Sequence, residues 1–284
     1  MPTRAQNRPA SSRLTSPARA AAVLALLIPA LGAAAQDWGG RVKKEFNLTA
    51  PAQADQPVKV RGANGSIAVR QGEGAEVRIK ALVRADSAER AEQVQIRAVR
   101  DGGVLSVAAV WPNDKRKDGE GVSFELSIPA ANGLDLGTSN GAIAVSGLSG
   151  PLRADTSNGA ISVKDFRGAI DADTSNGAVS ILGATESVKA DTSNGGIEIT
   201  LDPANPGPVV ADTSNGPITI TIGPAFAGTL KADTSNSSIT LPEGAQVVSK
   251  SRNNATLQFG SGGEESVLDT SNGPIRIQRL AAKP

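Results

Sequence analysis

Leu152-Arg153-Ala154-Asp155-Thr156-Ser157-Asn158-Gly159-Ala160-Ile161-Ser162-Val163 returns almost unchanged as Ile170-Asp171-Ala172-Asp173-Thr174-Ser175-Asn176-Gly177-Ala178-Val179-Ser180-Ile181. The Asn of each copy is Asn140, Asn158, Asn176, Asn194, Asn215, Asn236 and Asn272, so the period is 18 residues and lengthens to 21. The last gap is two periods, and Asn254 stands at its midpoint as a degenerate copy. A unit this short cannot bury a core alone, so neighbouring units must stack.

The phase of each unit follows from side-chain alternation. Either Leu152, Ala154 and Thr156 point inward or Arg153, Asp155 and Ser157 do. Burying an unpaired Arg and Asp in every unit costs too much, so the first set is inside. The second strands place Ile143 and Val145, Ile161 and Val163, Val179 and Ile181, Ile197 and Ile199, Ile218 and Ile220, and Ile239 and Leu241 inward. Phe166 and Phe226 are expected to plug the return loops.

Asn-Gly between two strands is also a hairpin signal. In an antiparallel meander, identical strands lie two apart and their identity gains nothing. In a parallel stack each strand lies on its own copy, about 4.8 Å away. Asn amides can then bond to the copies above and below. Near-identity of Asp-Thr-Ser-Asn-Gly favours an all-β parallel β-solenoid of about eight rungs over 135–280. The extra residues of the longer periods fall near Leu201 to Pro208 and Ile222 to Gly228, in return loops where a solenoid tolerates insertion.

Upstream of the repeat, 36–134 reads as an irregular β region that continues or caps the stack. Short alternating runs include Val58-Lys59-Val60, Val77-Arg78-Ile79-Lys80 and Phe124-Glu125-Leu126-Ser127-Ile128, each bounded by turn residues. Ser87 is a candidate cap for one or two helical turns ending near Gln93. Trp111 to Gly121 reads as a solvated, mobile loop whose charges nearly cancel.

Residues 1–35 have the form of a secretory signal. Arg4, Arg8, Arg13 and Arg19 precede an apolar run from Ala20 to Leu31, and Ala33-Ala34-Ala35 offers a cleavage site before Gln36. The run is shorter than the roughly 20 residues that cross a bilayer. The chain carries 29 Lys and Arg against 28 Asp and Glu. Loss of the leader leaves 25 against 28, a net charge of −3. That balance argues against a nucleic-acid partner and against an anionic membrane as partner; with no second apolar segment, no membrane insertion is expected after signal cleavage. There is no Cys, so an exported chain would rely on burial and backbone pairing for stability.

Candidate chemistry is sparse. No His, Cys or Tyr is present, which removes most nucleophile, general-base and zinc options. Asp155, Asp173, Asp191, Asp212 and Asp233 form an outward row of carboxylates, a weak cation or partner candidate. Arg153, Lys189 and Lys231, two residues earlier, would partly neutralise it. Its plainer reading is structural, because Asp beside a turn commonly bonds local backbone. No cofactor and no metal site is expected. The outer face of the second strands is small: Ala142 and Ala144, Ala160 and Ser162, Ala178 and Ser180.

Three features carry a resemblance: Asn64-Gly65-Ser66-Ile67-Ala68-Val69, the strand Val122-Ser123-Phe124-Glu125-Leu126-Ser127-Ile128-Pro129, and the Thr-Ser-Asn-Gly-x-Ile units. Together they resemble a family of bacterial exported β-strand-repeat proteins of unknown function labelled "putative adhesin". The resemblance covers about 40–280. It implies a β-solenoid outside the cytoplasm, in the periplasm or at the cell surface, with an unknown protein or cell-surface polymer as partner. It transfers no catalytic residue. The expectation is a non-enzymatic interaction or structural module; the alternative is a carbohydrate-binding or carbohydrate-active β-helix.

Overall fold

The computed structural model describes residues 37–38 and 41–281. The expected signal over 1–35 lies outside the described residues. The N-terminal elements are β1 (Asp37–Trp38), β2 (Arg41–Pro51), β3 (Val58–Arg61), β4 (Ile67–Gln71), β5 (Glu76–Ala85), α1 (Ala88–Gln93), β6 (Gln95–Asp101), β7 (Val104–Val110) and β8 (Gly121–Ile128). The repeat supplies β9 (Asn132–Thr138), β10 (Ile143–Ser146), β11 (Ser149–Thr156), β12 (Ile161–Lys164), β13 (Ile170–Thr174), β14 (Val179–Ala184), β15 (Val188–Thr192), β16 (Ile197–Leu201), β17 (Val209–Thr213) and β18 (Ile218–Ile222). Then follow β19 (Gly228–Thr234), β20 (Ile239–Thr240), β21 (Gln246–Lys250), β22 (Asn254–Phe259), β23 (Ser266–Thr270) and β24 (Ile275–Arg279).

These strands form two 12-stranded sheets. We call the one containing β12 the A sheet and the one containing β11 the B sheet. From β9 to β18 the chain alternates between them, and each strand from β9 to β16 pairs in parallel with its copy one period on. Ala154 is level with Ala172, and Ala172 with Ala190. Ile161 is level with Val179, and Val179 with Ile197. The molecule is therefore all-β with long parallel stretches.

The core is the layer between the sheets. Leu152, Ala154 and Thr156 are buried, as are Ile161 and Val163, and the same phase holds in the neighbouring units. Phe166 and Phe226 are buried in return loops, Phe226 edge-to-face against Phe259 at 5.4 Å. The longer loop after β16 is held by buried Asn205, whose Nδ2 donates to the carbonyls of Ala184 and Glu186 at 2.7 and 2.8 Å.

Spatial order departs from chain order at both ends. β23 and β24 lie between the β17/β18 unit and the β19/β20 unit, although they follow both in sequence. The segment between them does not form the expected degenerate rung. β22, which begins at Asn254, runs antiparallel to β19, and β21 is antiparallel to β22. The expectation of about eight rungs over 135–280 is corrected to seven strand pairs: β9/β10, β11/β12, β13/β14, β15/β16, β17/β18, β23/β24 and β19/β20.

The same device appears at the N-terminal end. β3 and β4 pair with β9 and β10 on one side and with the later β7 and β8 on the other. Antiparallel β5 and β2 then extend the A sheet, and β6 closes the B sheet. A bare parallel end would expose a row of unpaired backbone groups. Here three of the four outermost strands are short or irregular. β1 and β20 have 2 residues each, and β21 carries a register break between Val247 and Ser249.

Ser87 caps α1, accepting from the Arg90 backbone N–H at 3.2 Å. The loop from Trp111 to Gly121 is exposed at Asn113, Asp114, Lys115, Lys117 and Asp118, in line with its solvated reading, but is anchored at both ends. Trp111 and Glu120 are both buried. Glu120 accepts from Arg90 Nε at 2.5 Å and from the backbone N–H of Lys117 at 2.8 Å. Burial alone would raise its carboxyl, but the bonds from Arg90, Lys117 and Asp86 outweigh that and hold it below the usual range.

Candidate functional site

Each residue of the Thr-Ser-Asn-Gly corner has one task. The buried Thr174 hydroxyl donates to the carbonyl of Gly159 in the preceding unit at 2.9 Å, and Thr192 does the same to Gly177. Ser157 and Ser175 offer backbone carbonyls to the N–H groups of Asn176 and Asn194, both at 3.0 Å. The Gly lets one corner sit on the next. The corner glycines have no positive φ, so Asn-Gly here is not the hairpin turn that its dipeptide suggests.

The Asn side chains form one directional chain. Asn158 Nδ2 donates to Asn140 Oδ1 at 2.5 Å, and Asn176 to Asn158 and Asn194 to Asn176 at 2.8 Å. Asn215 donates to Asn194 at 2.8 Å, Asn272 to Asn215 at 2.9 Å, and Asn236 to Asn272 at 2.8 Å. Asn272 therefore precedes Asn236 in space. Asn140 donates to Asn64, and Asn64 Nδ2 donates to the Glu120 carbonyl at 2.9 Å. The amides are exposed, and their donors are used along the stack.

Asp155, Asp173, Asp191 and Asp212 lie side by side on the outer B face, and Asp269 stands between Asp212 and Asp233. Asp269 was missing from the row read in sequence, although Leu268-Asp269-Thr270-Ser271-Asn272-Gly273 carries its full signature. Burial, and then the neighbouring carboxylates, push Asp173, Asp212 and Asp269 above the usual range. Asn254 Nδ2 closes the end of the row on Asp233 at 3.0 Å.

The expected neutralising cations bond elsewhere. Arg153 and Lys189 both reach Asp171, at 3.6 and 3.7 Å, and Lys231 reaches Glu265 at 2.8 Å. At the N-terminal end of that row, Lys59 and Arg61 reach Asp135 at 3.4 and 2.6 Å. The row thus alternates in sign through Lys59, Asp135, Arg153, Asp171 and Lys189, and its charges satisfy one another. Beside it runs an open groove of about 570 Å³ with Pro57, Gly133, Pro151, Ala169 and Pro208 in its wall. No group of three or more acidic side chains among the described residues is placed to hold a metal ion.

No family model matches the chain, and no curated protein does. Solved structures are similar to it at low identity. One, from Clostridium sporogenes ATCC 15579, is described as a "putative cell adhesion protein"; it is 12% identical, with TM-score 0.38, over 84% of this chain and 100% of that one. A "putative adhesin" from Bacteroides fragilis NCTC 9343 is 11% identical, with TM-score 0.42, over 84% and 97%. A "putative lipid binding protein" from Parabacteroides distasonis ATCC 8503 is 12% identical, with TM-score 0.40, over the same shares. The adhesin description is the one carried by the family that the repeat resembles.

Proposed function

We propose that the chain is an exported, non-enzymatic interaction module, adhesin-like in use, built as a parallel β-solenoid with antiparallel strands at each end. It works in the periplasm or at the cell surface by presenting its outer faces to a protein or a polymer. The observation that carries this reading is the register of the outer rows. Like positions lie side by side at one strand spacing on both faces, so the Asp and Asn that one unit offers at its corner are offered again by the next. A repeated surface suits a repeated partner, because several weak contacts on one scaffold add to one strong attachment. The Asp row belongs to the presented surface. A calcium-dependent rise in melting temperature, abolished by Asp173→Asn with Asp191→Asn, would assign it to cation binding instead.

The deciding experiment combines whole-cell binding with a glycan-binding and hydrolysis screen on the purified protein. Attachment to cells without turnover of any glycan is the expected result. Specific sugar hydrolysis would replace this reading with that of a carbohydrate-active β-helix.

A further inference from the structure

The outer A face carries a second row whose cations have no ion-pair partner among the described residues. Thr49 is level with Arg78, Arg78 with Ser127, Ser127 with Arg70, Arg70 with Ser146, and Ser146 with Lys164. These residues stand on β2, β5, β8, β4, β10 and β12, which are consecutive in the sheet. Cation and hydroxyl therefore alternate across six strands. The three cations lie two strands apart, about 9.6 Å from one to the next.

Arg70, Arg78 and Lys164 are exposed, and none of their side chains has an ion pair or hydrogen bond among the described residues. Several other outward cations of the stack are paired. Lys80 beside them is taken by Glu45 at 3.1 Å, and Lys59, Arg153, Lys189 and Lys231 each have a carboxylate. The row borders two shallow grooves, of about 380 and 330 Å³, and Arg70 lines both. The next row over is small at Ala68, Ala144 and Ser162, so a chain can lie close to the sheet. Glu125, level with Ala68, is the one acid in the two groove linings.

We propose that this row binds a linear acidic polysaccharide lying across the strands, with a carboxylate on alternate sugar units. The inference rests on the reading of the chain as an interaction module and names its ligand class. Charge complementarity selects an anion. Spacing selects the kind: a sugar unit in an extended chain advances by about one strand spacing, so alternate carboxylates meet alternate strands. The hydroxyls of Ser127 and Ser146 then face the intervening uncharged units. Nucleic acid fits poorly, since each strand of a duplex carries a phosphate for every ~3.4 Å of helix axis and winds away from a straight row. The row also offers no aromatic side chain on which bases could stack. Glu125 adds repulsion against densely charged polymers.

The test measures binding of the purified protein to hyaluronan, polygalacturonate, dextran and phosphatidylglycerol vesicles, with whole-cell binding in parallel. Expected are binding to hyaluronan that weakens with salt, weaker binding to polygalacturonate, and none to dextran or vesicles. Arg70→Gln with Arg78→Gln and Lys164→Gln should weaken hyaluronan binding about tenfold, the size expected of three exposed ion pairs. Arg153→Gln with Lys189→Gln and Lys231→Gln changes net charge equally on the other face and should leave it intact. Arg70→Lys should retain most of it. Equal loss in both triple variants, binding to vesicles alone, or no binding to either acidic polymer would overturn the inference. Cell attachment that survives the first triple variant also overturns it, while leaving the interaction reading standing. Loss of cell attachment by the unaltered protein would remove that reading itself.

Discussion

A β-carbon on Gly177 would lie 1.9 Å from the carbonyl oxygen of Gly159, and one on Gly195 would lie 1.8 Å from that of Gly177. The corner glycines are therefore fixed by close approach of backbone to backbone, not by a left-handed conformation. Gly177→Ala must push two units apart and should cost about 3 kcal/mol, the upper range for overpacking. Gly137→Ala is the control. Its added carbon meets only the flexible end of Arg61, at 3.3 Å, and should change stability by less than about 0.5 kcal/mol. Denaturant midpoints of the two variants check this, and equal shifts would show that the corner is not close-packed. At the neighbouring position, Asn176→Ala removes one donor to Asn158 and one acceptor for Asn194. A loss of about 1 kcal/mol relative to Ser180→Ala is expected. If the two variants melt together, the amide chain adds nothing to stability.

At the scale of the strand, the outward Asp row is a standing cost. Asp173, Asp212 and Asp269 are held above the usual carboxylate range, first by burial and then by neighbouring carboxylates. The folded chain holds these protons more readily than the unfolded one. Their cost is thus fully present above the raised folded value and is relieved as pH falls towards the unfolded value. Glu120 and Asp135 have the opposite sign. Burial would raise them, but Arg90 in one case and Arg61 with Lys59 in the other lower them. Their contribution is present above the unfolded value and is lost as pH falls through the folded one. Asp173→Asn should therefore raise stability at pH 7 and low salt, by at most about 1 kcal/mol for an exposed row in water. The gain should shrink in high salt and fade as pH falls through the raised folded value of Asp173 to below the unfolded one, where Asp173 is protonated in both states. A gain unchanged at low pH would show that charge is not its cause. The row itself was legible because alternation left Asp no other face. Its lack of cation partners was not, because Arg153 and Lys189 each stand two residues from a row Asp, Asp155 and Asp191, and 18 from Asp171, and only the register of β11, β13 and β15 assigns them to Asp171.

For the whole molecule, the repeat specifies the phase of every strand but not the order of the rungs. Thr234-Ser235-Asn236 and Thr270-Ser271-Asn272 are identical, so either could follow Asn215, and chain order favoured the wrong one. What decides is the antiparallel pairing of β22 with β19, which turns the chain back and brings β23 to the side of β19 facing β17. Buried Glu120 was equally hidden in sequence, because its partner Arg90 lies on the far side of β6 and β7. The rung order has a measurable consequence. In a simple stack the last unit has one neighbour and frays first. Here β23 and β24 are each paired on both sides. Their amides should therefore exchange with solvent as slowly as those of β15 and β16 in the middle of the stack, although β24 ends only 5 residues before the last residue of the chain. The edge strand β21 should exchange fastest of the C-terminal strands. Native-state hydrogen exchange reads both. Rapid exchange of Leu268 and Ile277 with slow exchange in β19 would mean that the terminal unit is added last, on the outside, and would restore the order written in the sequence.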